Sequence, residues 1–136
     1  MKTQYTLAML LLVVGLALAG CGGRTDDQAD QVFHLRTGLV EGRMAFIGVG
    51  GAIDGVANPE LAVKAGERVR IELHNGDGIS HDLALPDLGR QTPPVMGRES
   101  VAALTFTAGS SGAYTYLCSV AGHRQAGMEG QLVVTP

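Results

Sequence analysis

Beyond residue 31 the apolar and polar residues alternate with the two-residue period of β-strands. In Arg68-Val69-Arg70-Ile71-Glu72-Leu73 every second position is apolar and the positions between are charged, which predicts a half-buried strand. Ala102, Leu104 and Phe106 repeat the alternation with Thr105 and Thr107 on the opposite side, and Tyr114, Tyr116 and Cys118 share one face of the next run. Turn sequences separate the runs: Asn58-Pro59, Lys64-Ala65-Gly66, Asn75-Gly76-Asp77-Gly78, Gln91-Thr92-Pro93-Pro94 and Gly109-Ser110-Ser111-Gly112. About seven or eight short strands at this spacing predict an all-β fold, a Greek-key β-sandwich. Its domain covers residues 32–136. No segment there has a convincing helical period, although the weakly patterned stretch from about Leu88 to Glu99 leaves room for a short helix.

The start of the chain has a different pattern. Lys2 precedes an apolar run from Leu7 to Ala19 that stops at Cys21. The run is shorter than the about 20 residues of a membrane-spanning helix and has the length of the apolar core of an export signal. Leu18-Ala19-Gly20-Cys21 resembles the lipobox of bacterial lipoproteins. That resemblance implies a signal peptide over 1–20, cleavage before Cys21 and lipidation of Cys21, so that the protein is exported and anchored to a bacterial membrane, facing the periplasm or cell surface. An ordinary signal peptide and an uncleaved anchor helix are the alternatives. Residues 21–31, rich in Gly, Arg, Thr, Asp and Gln, then read as a lipidated cysteine and flexible linker.

Composition narrows the function. A chain of 136 residues with no Trp and 20 Gly is one small, turn-rich domain, too short for a cofactor domain plus a substrate domain. A formal charge of −3 without a basic cluster excludes nucleic acid as a partner. With Cys21 assigned to lipid, only Cys118 remains, so the mature domain has no internal disulfide. A lone thiol in an oxidising compartment calls for a chemical role.

Cys118, His123 and Met128 recur at five-residue intervals. A strand rising about 3.3 Å per residue would hold them apart, so their convergence requires the chain to fold back after Cys118. Gly122 and Gly127, each directly before a candidate ligand, permit such bends. Thiolate, imidazole and thioether together suit copper, whereas a Met adds little for zinc, the main rival. A blue-copper site takes a second imidazole. His34, His74 and His81 are the candidates: His81 follows the Gly-rich turn, where a strand end could reach the Cys118 loop, His74 ends a strand and reads as solvated or capping, and His34 lies near the linker.

Over nearly all of residues 31–136 the chain resembles the cupredoxins, or small blue copper proteins, most of all the cupredoxin domains of copper nitrite reductases and plastocyanin-like single-domain carriers. Cys118-x4-His123-x4-Met128 and Asn75-Gly76-Asp77-Gly78-Ile79-Ser80-His81-Asp82 carry the resemblance. It implies one type 1 copper per chain held by His81, Cys118, His123 and Met128, with Tyr114 at the position of the family's tyrosine corner. It also implies that the His123 ring edge reaches the surface through an apolar patch, for which Val120, Ala121, Pro86 and Met96 are candidate neighbours. Asp82 and Ser119 are candidates for hydrogen bonds that tie the two ligand loops together, with simple solvation of two polar side chains as the alternative. Arg124 reads as partner-orienting or merely solvated, and Met44 and Met96 as rim or core residues.

The departures from nitrite reductase bear on function. Leu117 stands where the reductase has a His that binds its catalytic copper, and Leu83 to Leu88 contains no His. A binuclear copper site needs two nearby Cys. The expectation is therefore that this chain assembles no second copper centre and is not an enzyme. It is expected to be a membrane-tethered carrier of single electrons between redox protein partners, such as a cytochrome or a copper reductase or oxidase. A copper chaperone or buffer is the alternative, although no Met or His runs support it, and a component of a nitrite reductase system is a further one.

Overall fold

Where apolar residues alternate, strands form, and their register determines which loops meet. The protein is described here by a computed structural model covering residues 28–136, so the signal peptide expected at 1–20 and Cys21 lie outside the described residues. Nine strands are present among these: β1 (Gln31–Val40), β2 (Arg43–Val49), β3 (Leu61–Lys64), β4 (Arg68–His74), β5 (Ala84–Leu85), β6 (Arg90–Gln91), β7 (Val101–Thr107), β8 (Gly112–Leu117) and β9 (Glu129–Thr135). They build two sheets, ordered β2-β1-β4-β7 and β3-β9-β8-β5-β6. The β1/β4 and β3/β9 pairs are parallel and the remaining pairs antiparallel.

The all-β sandwich expected from the sequence is thus present, with β5 and β6 too short to announce themselves by alternation. The weakly patterned stretch holds no α-helix. A 3-10 turn at Pro86–Leu88 opens it, and Val95 bridges to His81. The ordered sheet also begins inside the segment read as linker: Asp30 N donates to Arg68 O at 2.7 Å, and Arg68 N donates to the Asp30 carboxylate at 2.8 Å.

The core lies between the sheets. Leu35, Phe46, Val69, Ile71 and Leu73 project from the first sheet and Leu61, Leu85, Tyr116 and Leu132 from the second, all fully buried. Each such side chain contributes about 1.5–3 kcal/mol. The Tyr116 ring meets Phe46 edge-on with centroids 5.5 Å apart, and its hydroxyl donates to Pro59 O at 2.6 Å. Tyr114 makes a corner bond, its hydroxyl donating to Ser110 O four residues upstream at 2.8 Å.

Gly130 lies directly opposite Tyr116 in the β8/β9 pair, and a Cβ there would run into the tyrosine ring. Gly130→Ala is expected to destabilise the fold by about 1–3 kcal/mol through overpacking. Urea unfolding should show a lower midpoint with an unchanged m-value.

Candidate metal centre

The antiparallel register of β8 and β9 makes Leu117 and Glu129 the last pair, so the next residues out, Cys118 and Met128, face each other at the sheet end. Cys118 N donates to Met128 O at 3.1 Å and closes the loop between them. Inside the loop the chain winds through tight turns: His123 N bonds to Val120 O at 3.0 Å, Ala126 N to Gly122 O at 3.0 Å, and Met128 N back to His123 O at 3.1 Å. Gly122 and Gly127 take positive φ angles, 86° and 118°, which only glycine adopts freely. Met128 is fully buried, with its backbone bonded to both Cys118 and His123. Asn58 braces the loop from outside, donating to Gly127 O at 2.8 Å while accepting from Phe46 N at 3.0 Å.

His81 arrives from the other side. Buried Asn75 shapes the turn after β4: its amide oxygen accepts from Asp77 N and Gly78 N at 3.2 and 2.7 Å, and its NH2 donates to Val95 O at 3.1 Å. His81 then exchanges two backbone hydrogen bonds with Val95, at 3.1 and 2.8 Å.

Three donor atoms converge. Cys118 Sγ lies 3.9 Å from His81 Nδ1 and 3.5 Å from His123 Nδ1, and the two nitrogens are 3.1 Å apart. The point equidistant from all three is about 2 Å from each, the length of a bond from a transition metal to imidazole or thiolate. His34 and His74 are not part of this cluster and sit on β1 and β4.

No protein-family model matches the chain. Auracyanin-A of Chloroflexus aurantiacus is 28% identical over 165 residues, spanning 96% of this chain and 99% of that protein. The solved structure of auracyanin A, described as a "blue" copper protein, matches with a TM-score of 0.53 at 25% identity, covering 76% of this chain and 99% of the other. Auracyanin B matches with a TM-score of 0.59 at 20% identity, covering 82% and 94%. A Cu-containing nitrite reductase from Thermus scotoductus matches with a TM-score of 0.57 at 24% identity, covering 77% of this chain but 27% of the enzyme. The fold is that of the cupredoxins.

In this cupredoxin fold the surroundings of the three donors are set by two carboxylates. Asp77 places both oxygens 3.0 Å from His81 Nε2. A carboxylate there holds the ring proton on Nε2 and leaves the Nδ1 lone pair aimed at the cluster, the arrangement that orients metal-bound histidines. Asp77 reads from the sequence only as part of a Gly-rich turn, and its spacing of four residues before His81 was the one signal available.

Asp82, on the residue after His81, accepts from Ser119 N at 2.6 Å and from the Ser119 hydroxyl, and Gln91 Nε2 donates to it at 2.8 Å. Asp82 and Ser119 therefore tie the His81 segment to the Cys118 loop, and Gln91 reinforces the tie from β6. Arg124 is paired with Glu129 at 2.6 Å on the surface. Pro86, Met96 and Ala121 are exposed, and Val120 and Met44 pack partly buried against the core.

Burial controls the protons. It pushes the Cys118 thiol above its ordinary value, opposed by the backbone amides of Asp82 and Val120. It also pushes His123 below the usual histidine range, helped by the neighbouring His81. A neutral imidazole with a free lone pair suits coordination, and the thiol would release its proton to solvent as a metal ion took its place. His81 is 0% exposed and His123 9%, so of the two rings only His123 retains surface.

Asp77→Asn keeps the shape of the side chain and its contact with the ring but removes the charge. Metal affinity, measured by competition with a chelator, should fall about tenfold or more.

Proposed function

We propose that this cupredoxin is a blue copper electron carrier that holds one copper ion between His81, Cys118 and His123, with Met128 as the weak fourth ligand. The observation that carries this reading is the triangle of one sulfur and two nitrogens, equidistant from a point about 2 Å away. One thiolate and two imidazoles beside a buried Met is the donor set of blue-copper sites. The similarity to auracyanin A, a "blue" copper protein, points the same way.

Bound copper would supply a one-electron couple between its two oxidation states. The protein's own residues do the rest. Asp77 fixes the tautomer and tilt of His81, while the Asp82–Ser119–Gln91 bonds keep the two ligand segments from separating. Donors held this firmly move little between oxidation states, which keeps electron exchange fast. Full burial of His81 and near-full burial of Cys118 keep water from the donors, and the residual exposure of His123 offers a redox protein partner its contact edge. Leu117 provides no ligand, so substrate turnover at a second copper is not part of this role.

The reading extends to location. With a signal peptide over 1–20, a lipid on Cys21 and a linker that ends where Asp30 joins the sheet, the domain works tethered to a bacterial membrane, facing the periplasm or cell surface.

Adding Cu(II) to the purified domain should produce an intense visible thiolate-to-copper charge-transfer band that bleaches on reduction. Cys118→Ala should give no such band, and a colourless protein that instead binds zinc tightly would overturn the proposal. In a bacterial host, the full chain should partition with membranes and Cys21→Ala should release it to the soluble exported fraction.

A further inference from the structure

The outer face of the first sheet carries a second group of metal-ligating side chains. Parallel pairing of β1 with β4 sets His34 opposite Glu72 and Arg36 opposite His74. Because strand side chains alternate, Glu72 and His74 emerge on one face of β4, and His34 joins them from β1. His34 Nδ1 is 3.1 Å and His74 Nε2 3.7 Å from the same oxygen of Glu72, Oε2. All three ligand atoms lie within 4.8 Å of one another. Arg70 holds the other oxygen of Glu72 at 2.8 Å, which turns Oε2 toward the two rings. Both histidines line a shallow cavity of about 220 Å³, walled by Val49, Arg36 and Glu99.

We propose that His34, Glu72 and His74 form a binding site for a divalent transition-metal ion of borderline softness, Zn2+ or Cu2+. Two imidazoles and a carboxylate are a donor set such ions accept, with water completing the shell. Donors about 2.1 Å from a tetrahedral ion stand about 3.4 Å apart, so ligand atoms within 4.8 Å of one another need to close by no more than about 1.4 Å. Both rings are part-exposed and free to make that adjustment. The two rings border the cavity, where coordinated water has room. The hydrogen bond from Arg70 holds the Glu72 carboxyl below the usual carboxylate range, and it is ionised at neutral pH. Of the two arginines nearby, Arg36 is offset by Glu99 at 2.9 Å.

His34 beside the linker and His74 at a strand end look poorly placed in the sequence. Parallel pairing between strands separated by a hairpin and β3 is what brings them together, and alternation along either strand does not display it.

The test is Zn2+ titrated by calorimetry into the Cys118→Ala variant, in which the thiolate site is dismantled. This variant should bind one Zn2+ per chain, and adding His34→Ala or His74→Ala should weaken that binding about tenfold or more. Far-UV circular dichroism should be unchanged, because both residues project from the outer face of the sheet. Absence of Zn2+ binding to Cys118→Ala, or undiminished affinity when His34→Ala and His74→Ala are combined in it, overturns the proposal. Neither result depends on whether copper occupies the other centre.

Discussion

A sulfur and two ring nitrogens stand within 3.9 Å of one another where water hardly reaches. Lone pairs this close repel unless a proton or a cation lies between them. Burial leaves the thiol proton of Cys118 at that point and favours neutral His123, while Asp77 draws the His81 proton to the far side of its ring. A cation relieves the repulsion at all three atoms together. The end of the sandwich is then a frame for an electrostatic problem that the polypeptide sets but does not solve alone.

The two carboxylates divide the work of that frame. Asp77 acts on one ring and leaves the chain path to Asn75, whose side chain occupies four backbone partners in the turn. Asp82 acts on the path itself and is nearly buried, which is tolerable because Ser119 and Gln91 supply its hydrogen bonds. Removing those donors would strand a buried charge, so the tie between the two ligand segments is costly to open. Rigidity at the centre thus comes from satisfied polar groups as much as from apolar packing.

Much of the sandwich was legible because alternation is a local property. Val69, Ile71 and Leu73 are fully buried, with half-exposed residues between them, as the pattern of that run requires. The paired two-residue strands β5 and β6 carry no period, and only the fold reveals them. At the donor end of the sandwich, the even spacing of Cys118, His123 and Met128 and the glycines between them made a folded-back loop readable from the sequence, and the structure sets Cys118 and His123 beside His81, with the Met128 backbone bonded to both loop residues. Asp77, Asn58 and Gln91 escaped notice for a common reason: each acts through a partner fixed by tertiary structure, and each sits in a segment whose composition reads as turn. The outer His34–Glu72–His74 group was hidden by the same limitation, since parallel neighbours leave no mark on either strand.

The β8/β9 ladder also determines how this chain can change in length. Side chains flip faces at every residue along a strand, so deleting one residue from Ala113 to Leu117 would swing the sulfur outward and dissolve the cluster. Between Ser119 and Gly127, by contrast, the interior is a succession of turns, fastened by Asp82 at Ser119, by Asn58 at Gly127 and by Met44 N at Ala126 O. Lengthening or shortening there would leave the strand register intact but would shift His123 and its backbone bonds to Val120 and Met128. A change of length is therefore absorbed by the loop that carries His123 at the cost of that donor's place, while the scaffold beneath it stays fixed in count.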